Sequence, residues 1–145
     1  MGDNLHFILF NFLSSSHSTT LASKSTALSE YKYIVFSNEN DGDAELADII
    51  MIVQNELAGK LTTVSQTKAQ LLVAQGEKVL SPKISVKSEK WDGGMTYISI
   101  IFHDFDTNLS IAVIKSSGIG LSIEHDQDLA LKAIKKEINK AFKSL

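Results

Sequence analysis

The sequence predicts an α+β fold: a two-layer sandwich with a mainly antiparallel sheet of four to five strands and two helices on one sheet face. Three observations lead there. Two segments, one before the middle and one at the end, repeat apolar residues at helical spacing. Several runs rich in β-branched and aromatic residues precede or separate them. The two most regular of these runs are joined by a short polar stretch, as antiparallel neighbours are. The chain has 145 residues, 43% of them hydrophobic and 21% charged. That suits one domain over 31–145, of about 110 to 120 residues, able to bury roughly two-thirds of its unfolded surface. It contains no cysteine, so packing rather than disulfides must hold the core.

Taken in order, residues 1–30 read as a signal-like apolar segment followed by a tether. Leu5 to Leu13 is an apolar run too short to span a bilayer but suited to the hydrophobic part of a secretory signal. From Ser14 to Ser29, ten of sixteen residues are Ser or Thr, a composition expected to stay unfolded. Tyr31 to Ser37 reads as a strand ending in the turn-forming Asn38 to Gly42. Asp43 is the candidate N-cap of a helix whose Leu46, Ile49, Ile50, Val53 and Leu57 share one face. Leu61 to Ser65 and Gln70 to Glu77 are read as short strands, the second for its continuous apolar centre. Lys83 to Lys90 alternates as a half-exposed strand does. Met95 to His103 and Leu109 to Ser116 form a hairpin across Asp104 to Asn108. Asp126 or Asp128 is expected to cap the last helix, with Leu131, Ile134, Ile138 and Phe142 on its apolar stripe.

All 14 basic residues are lysine, against 17 acidic ones, for a net charge of −3. Without the guanidinium fork that grips phosphate and reads guanine, a nucleic-acid partner is not expected. No run of eighteen apolar residues offers a spanning helix. Bacterial lipoprotein signals end in an aliphatic residue, two small residues and a cysteine. Leu13-Ser14-Ser15 matches the first three places, and Ser16 stands where the cysteine would be. A hydroxyl does not replace the lipid-accepting thiol, so membrane attachment would require a native cysteine at position 16. A plain signal cut after Ala22 is an alternative, as is a reading of Leu5 to Leu13 as a strand swapped between protomers.

With Ser18-Thr19-Thr20, the strand Tyr31 to Val35, Leu71-Leu72-Val73, the hairpin Ile100 to Asn108 and the closing helix, the chain resembles small envelope lipoproteins of Bacteroides-like bacteria that carry an α/β domain of unknown function. The resemblance implies a fold and a location, periplasmic or outer-membrane associated. It implies no catalytic residue.

Chemistry-bearing residues are sparse. His103, Asp106 and His125, with Asp104, Glu124 and Asp126 nearby in sequence, are the one set that would suit a divalent metal and a hydrolytic reaction. His103 and Asp104 adjoin on a strand end, however, and should face opposite ways. The loop around Gly42 departs from a calcium loop at its first and twelfth positions, Ser37 and Asp48. Gly118-Ile119-Gly120 lacks the third glycine of a dinucleotide fingerprint and reads as a flexible or bulged strand end. There is no Gly-x-Ser-x-Gly elbow. Asn108-Leu109-Ser110 is a formal glycosylation sequon. Trp91, Tyr97, Phe102 and Phe105 could line a sugar- or peptide-binding surface, although core packing in a sheet explains most of them equally well. Trp91, beside Asp92-Gly93-Gly94, and the helix lysines Lys132, Lys136 and Lys140 are the candidate surface contacts. No cofactor is expected. The expectation is therefore a non-enzymatic envelope domain that meets another envelope protein or cell-wall polymer, with the metal-assisted hydrolase as the alternative.

Overall fold

The computed structural model describes residues 15–22, 28–37, 46–89 and 94–142. Within them the chain runs β1 (Ser15–Ala22), a single 3₁₀ turn (Leu28–Glu30), β2 (Tyr33–Ile34), α1 (Ala47–Ala58), β3 (Thr62–Thr63), α2 (Gln66–Ala74), β4 (Val79–Ser88), β5 (Met95–Asp104), β6 (Ser110–Ile119) and α3 (Ile123–Ala141). The strands make one sheet in the order β1-β6-β5-β4-β2-β3. The four long strands pair antiparallel, whereas β2 pairs parallel to both β4 and β3. The fold is α+β with a mixed, mostly antiparallel sheet. Among the described residues it has six strands rather than four to five, and three α-helices rather than two.

The largest departure from expectation is β1. Ser15 to Ala22, read as part of a tether, pairs residue for residue with β6, from Ser15 opposite Ile119 to Ala22 opposite Ala112. Among the described residues the sheet therefore includes the chain from residue 15, not only from 31. A Ser/Thr-rich segment has no local drive to order, but β6 offers it a complete row of backbone donors and acceptors. Leu5 to Leu13, including its reading as a swapped strand, lies outside the described residues.

Gln70 to Glu77 is the second departure, because the segment is helical. The hydroxyl of Ser65 accepts the Lys68 N–H (3.2 Å) and opens α2. Gly76 closes it at φ +85°, with its N–H on Val73 O and that of Glu77 on Leu72 O, the paired bonds of a Schellman ending. Ala69 and Leu72 are buried three residues apart, and Leu71 between them is exposed. A continuous apolar run of this length does not reveal its period, so only the caps identify the helix.

In α1 the expected stripe is observed, with Ile49, Ile50, Val53 and Leu57 buried. Its N-terminal residue is Leu46, with no side-chain cap bond, and Asp43 lies outside the described residues. In α3 the cap is Ser122, whose hydroxyl accepts the His125 N–H (3.1 Å), rather than Asp126 or Asp128. Asp126 is instead fully buried in the first turn.

Two apolar clusters hold these elements. The larger joins α1 and α3 to Leu80, Ile84, Val86, Ile98, Ile100, Phe102, Ala112 and Ile114, and Phe102 meets Phe142 edge-on at 5.8 Å between ring centroids. The smaller joins Ala69 and Leu72 of α2 to Val35 and Val79. Val79 and Leu80 are consecutive in β4 and enter different clusters, as side chains on a pleated strand must.

The helix α3 lies against β6 at Gly118. A Cβ there would press on the backbone oxygen of Asp126 and stand 2.7 Å from Ala130 N. One strand step earlier in the alternation, the buried Ser116 hydroxyl donates to Ala130 O (2.9 Å). Gly118 is thus a point of close backbone approach rather than a bulge.

Candidate functional site

The register of β4, β5 and β6 assigns every second residue to the larger core: Ile84 and Val86, Ile98 and Ile100, Ala112 and Ile114. The intervening residues alternate away from it. Lys83, Lys87 and Lys115 are exposed, Tyr97 is 42% exposed, and Ser85, Ser99 and Ser117 are half-buried. Register sets their neighbours. Lys87, Tyr97 and Ser117 form one row across the three strands, and Ser85, Ser99 and Lys115 form the next. A shallow depression of about 350 Å³ lies over these rows, lined by Ser85, Lys87, Tyr97, Ser99 and Lys115. The Tyr97 hydroxyl donates to Met95 Sδ (3.0 Å), two residues back, so the ring lies along β5. Glu89, just past the end of β4, accepts the Met95 N–H through its carboxylate (3.2 Å). Within the three strands, none of the residues alternating away from the core is acidic.

His103, Asp106 and His125 are not brought together. His103 pairs with Ser110 at the start of β6, whereas His125 lies against Gly120 just past its end. The length of β6 separates them, a span of about 30 Å. Among the described residues no group of three histidines, aspartates or glutamates is placed to hold a metal ion. His125 is engaged locally, its Nδ1 accepting the Leu121 N–H (3.1 Å).

Asp104 has a structural task. One carboxylate oxygen accepts the N–H groups of Asp106 (3.0 Å) and Thr107 (2.9 Å), which shapes the β5–β6 connection. The other accepts the Tyr31 hydroxyl at 2.6 Å. Partial burial works to raise the Asp104 pKa, but the hydrogen bonds from Tyr31, Thr107 and Asp106 outweigh it and hold the group below its ordinary value. The Tyr31 phenol is pushed far up, first by burial, then by its bond to Asp104 and the charges of Asp104 and Glu30. Lys78 bonds Glu30, which raises its pKa, and its ammonium sits 5.9 Å from the Tyr31 ring centroid. In the same connection Asn108 adopts φ 59°, and with Leu109 it is exposed.

Lys132, Lys136 and Lys140 are exposed on α3 at four-residue intervals and form one solvent-facing stripe. Trp91 lies outside the described residues. Of the aromatics considered for ligand contact, Phe102 is fully buried and Phe105 half-buried, whereas Tyr97 is exposed; what the sequence did not show is the combination of Tyr97 with Lys87 and Lys115. The alternation around Lys83 and Lys87 hints at an exposed strand face, but only the strand register sets those lysines beside the tyrosine.

No protein-family profile and no curated protein sequence matches the chain. Solved structures do resemble it in fold. The PelC dodecamer from Paraburkholderia phytofirmans superposes with a TM-score of 0.55 at 13% identity, covering 88% of this chain and 98% of that one. A variant of the same dodecamer, with one leucine exchanged for methionine, gives 0.56 at 14% identity over the same shares. A PDZ domain protein from Parabacteroides distasonis gives a TM-score of 0.44 at 8% identity, covering 93% of this chain and 40% of that one. At these identities the PelC structures show a shared fold and leave the chain without an assigned family.

Proposed function

We propose that this protein is a non-enzymatic cell-envelope domain of the small lipoprotein kind, periplasmic or associated with the outer membrane, which offers a sheet face to another envelope protein or to cell-wall polymer. In the arrangement behind it α1 and α3 share one sheet face, and the opposite face, covered by α2 at Val79, is left open over β5, β6 and the part of β4 that holds Lys83 to Lys87. The single observation that carries this reading is that open strand surface. It concentrates Lys83, Lys87, Lys115 and Tyr97, although the chain as a whole carries a net charge of −3. A basic, aromatic patch on a mildly acidic protein is a feature of recognition rather than of folding. The envelope location rests on the apolar Leu5 to Leu13 and on the lipobox-like Leu13-Ser14-Ser15. Position 16 pairs with Gly118 at the start of β1, so a lipid carried there by a native cysteine would attach at the sheet edge and not at the end of a leash.

Fractionation of cells expressing the untruncated native protein tests the location. Recovery with the envelope fraction is expected, and a wholly cytosolic distribution overturns the reading.

A further inference from the structure

We infer that the depression over β4, β5 and β6 binds an acidic polysaccharide, with a sugar ring stacked on Tyr97 and its carboxylates held by Lys87 and Lys115. The inference rests on the surface just proposed for recognition and names its ligand class. Four features select that class. Tyr97 is the one large apolar side chain exposed among the described residues of these three strands, and its hydroxyl is committed to Met95. The exposed ring lines the depression and supplies the apolar surface that suits the flat face of a pyranose. Lys87 is directly opposite Tyr97 on β4, and Lys115 is on β6 opposite Ser99, one row further from Met95, at a separation of about 10 Å between the outer strands. Two ammonium groups on flexible stems lining one depression match charges that recur along a polymer, and as point charges they do not require the fixed fork of a phosphate clamp. Ser85 and Ser99, paired between them, add hydroxyls that can donate to or accept from sugar hydroxyls. Finally, the residues that line the depression include no carboxylate, and the Glu89 carboxylate beyond the end of β4 is engaged by the Met95 N–H.

An acidic peptide or an anionic lipid surface would use the lysines without requiring a sugar ring stacked on Tyr97. The test compares purified full-length protein on immobilised polygalacturonate, on neutral dextran, on polyglutamate and on vesicles of phosphatidylglycerol. Retention on polygalacturonate in low salt is expected, with weakening as salt screens the lysines. Binding should fall about tenfold in Lys87→Gln/Lys115→Gln and by a similar factor in Tyr97→Ala. All three side chains are exposed, and unchanged circular dichroism and melting temperature would show that the variants fold. Absence of retention on polygalacturonate overturns the inference. So does equal binding to polyglutamate or to the vesicles with no effect of Tyr97→Ala, since charge alone would then suffice. The assay is independent of compartment: failed binding by a protein found in the envelope removes the glycan and leaves the location standing, whereas binding by a cytosolic protein does the reverse.

Discussion

On β4, β5 and β6, residues one step apart meet opposite surroundings. Ile84, Ile98, Ile100, Phe102 and Ile114 are 0–1% exposed, while Lys83, Lys87 and Lys115 between them reach water and Tyr97 is 42% exposed. Each fully buried aliphatic or phenyl side chain is worth about 1.5–3 kcal/mol relative to exposure, so the helix-covered side carries the stability of the sheet. On the other side the exposed Lys83, Lys87, Lys115 and Tyr97 contribute little to folding, although Val79 is buried there beneath α2. The composition of that exposed surface is free to answer to a ligand, and a single strand can serve both ends because its side chains alternate.

The sharpest way to break this contrast is at its most buried aromatic. Phe102→Ala removes the ring that meets Phe142 and is expected to cost about 3–5 kcal/mol, read by urea denaturation. A loss under about 1 kcal/mol would mean that the helix side does not hold the sheet as described.

Overpacking the seam between α3 and β6 comes next. Gly118→Ala drives a methyl into the Asp126 and Ala130 backbone, and a loss of about 1–3 kcal/mol is expected by the same measurement.

The Asp104 junction sits at the margin between the two sides and ties the sheet end to Tyr31. Asp104→Asn replaces a charge-assisted bond by a neutral one, at a cost of about 1–2 kcal/mol near neutral pH. Because the Asp104 pKa is depressed in the folded protein, its contribution is present above the ordinary carboxylate value of about 3.9 and is lost as pH falls through the lower folded value. The acid limb of the stability profile should therefore flatten in the variant. Tyr31 has the opposite sign: its raised pKa contributes below about 10 and is lost as pH rises beyond that, so Tyr31→Phe should flatten the alkaline limb. Unfolding curves collected from about pH 2.5 to about pH 11 read both limbs, and superimposable limbs in wild type and variant would discard the coupling.

The smallest expected effect on folding sharpens the comparison from the other side. Lys83→Gln, Lys87→Gln and Lys115→Gln should each change stability by no more than about 0.5 kcal/mol in thermal or urea unfolding. A larger loss would show that the open side is part of the structural framework after all.

Much of the helix-covered side is legible in the chain itself. The stripe from Leu46 to Leu57, the stripe from Ile134 to Phe142 and the hairpin joined at Asp104 to Asn108 are patterns of neighbours three or four apart on a helix, or two apart on a strand. Lys83 and Lys87 are readable as exposed for the same reason. The candidate site is not, because placing Tyr97 beside Lys87 and across from Lys115 depends on strand register, which belongs to two chain segments at once. The same reason hides β1, whose order comes from pairing with residues nearly a hundred positions later. It also explains why His103 and His125 suggested a shared site that the ends of β6 hold apart.

The chain alone determined which segments are amphipathic, that packing without disulfides must hold them, and that every positive charge is a lysine. Tertiary structure decided that a serine-rich segment is a strand, that Gly118 exists to let α3 approach, and that a tyrosine and two lysines share one surface. The division has a physical origin. Periodicity and capping act over a few residues and are written locally, whereas pairing, close approach and side-chain convergence arise only when distant segments meet, and their free energy belongs to the pair.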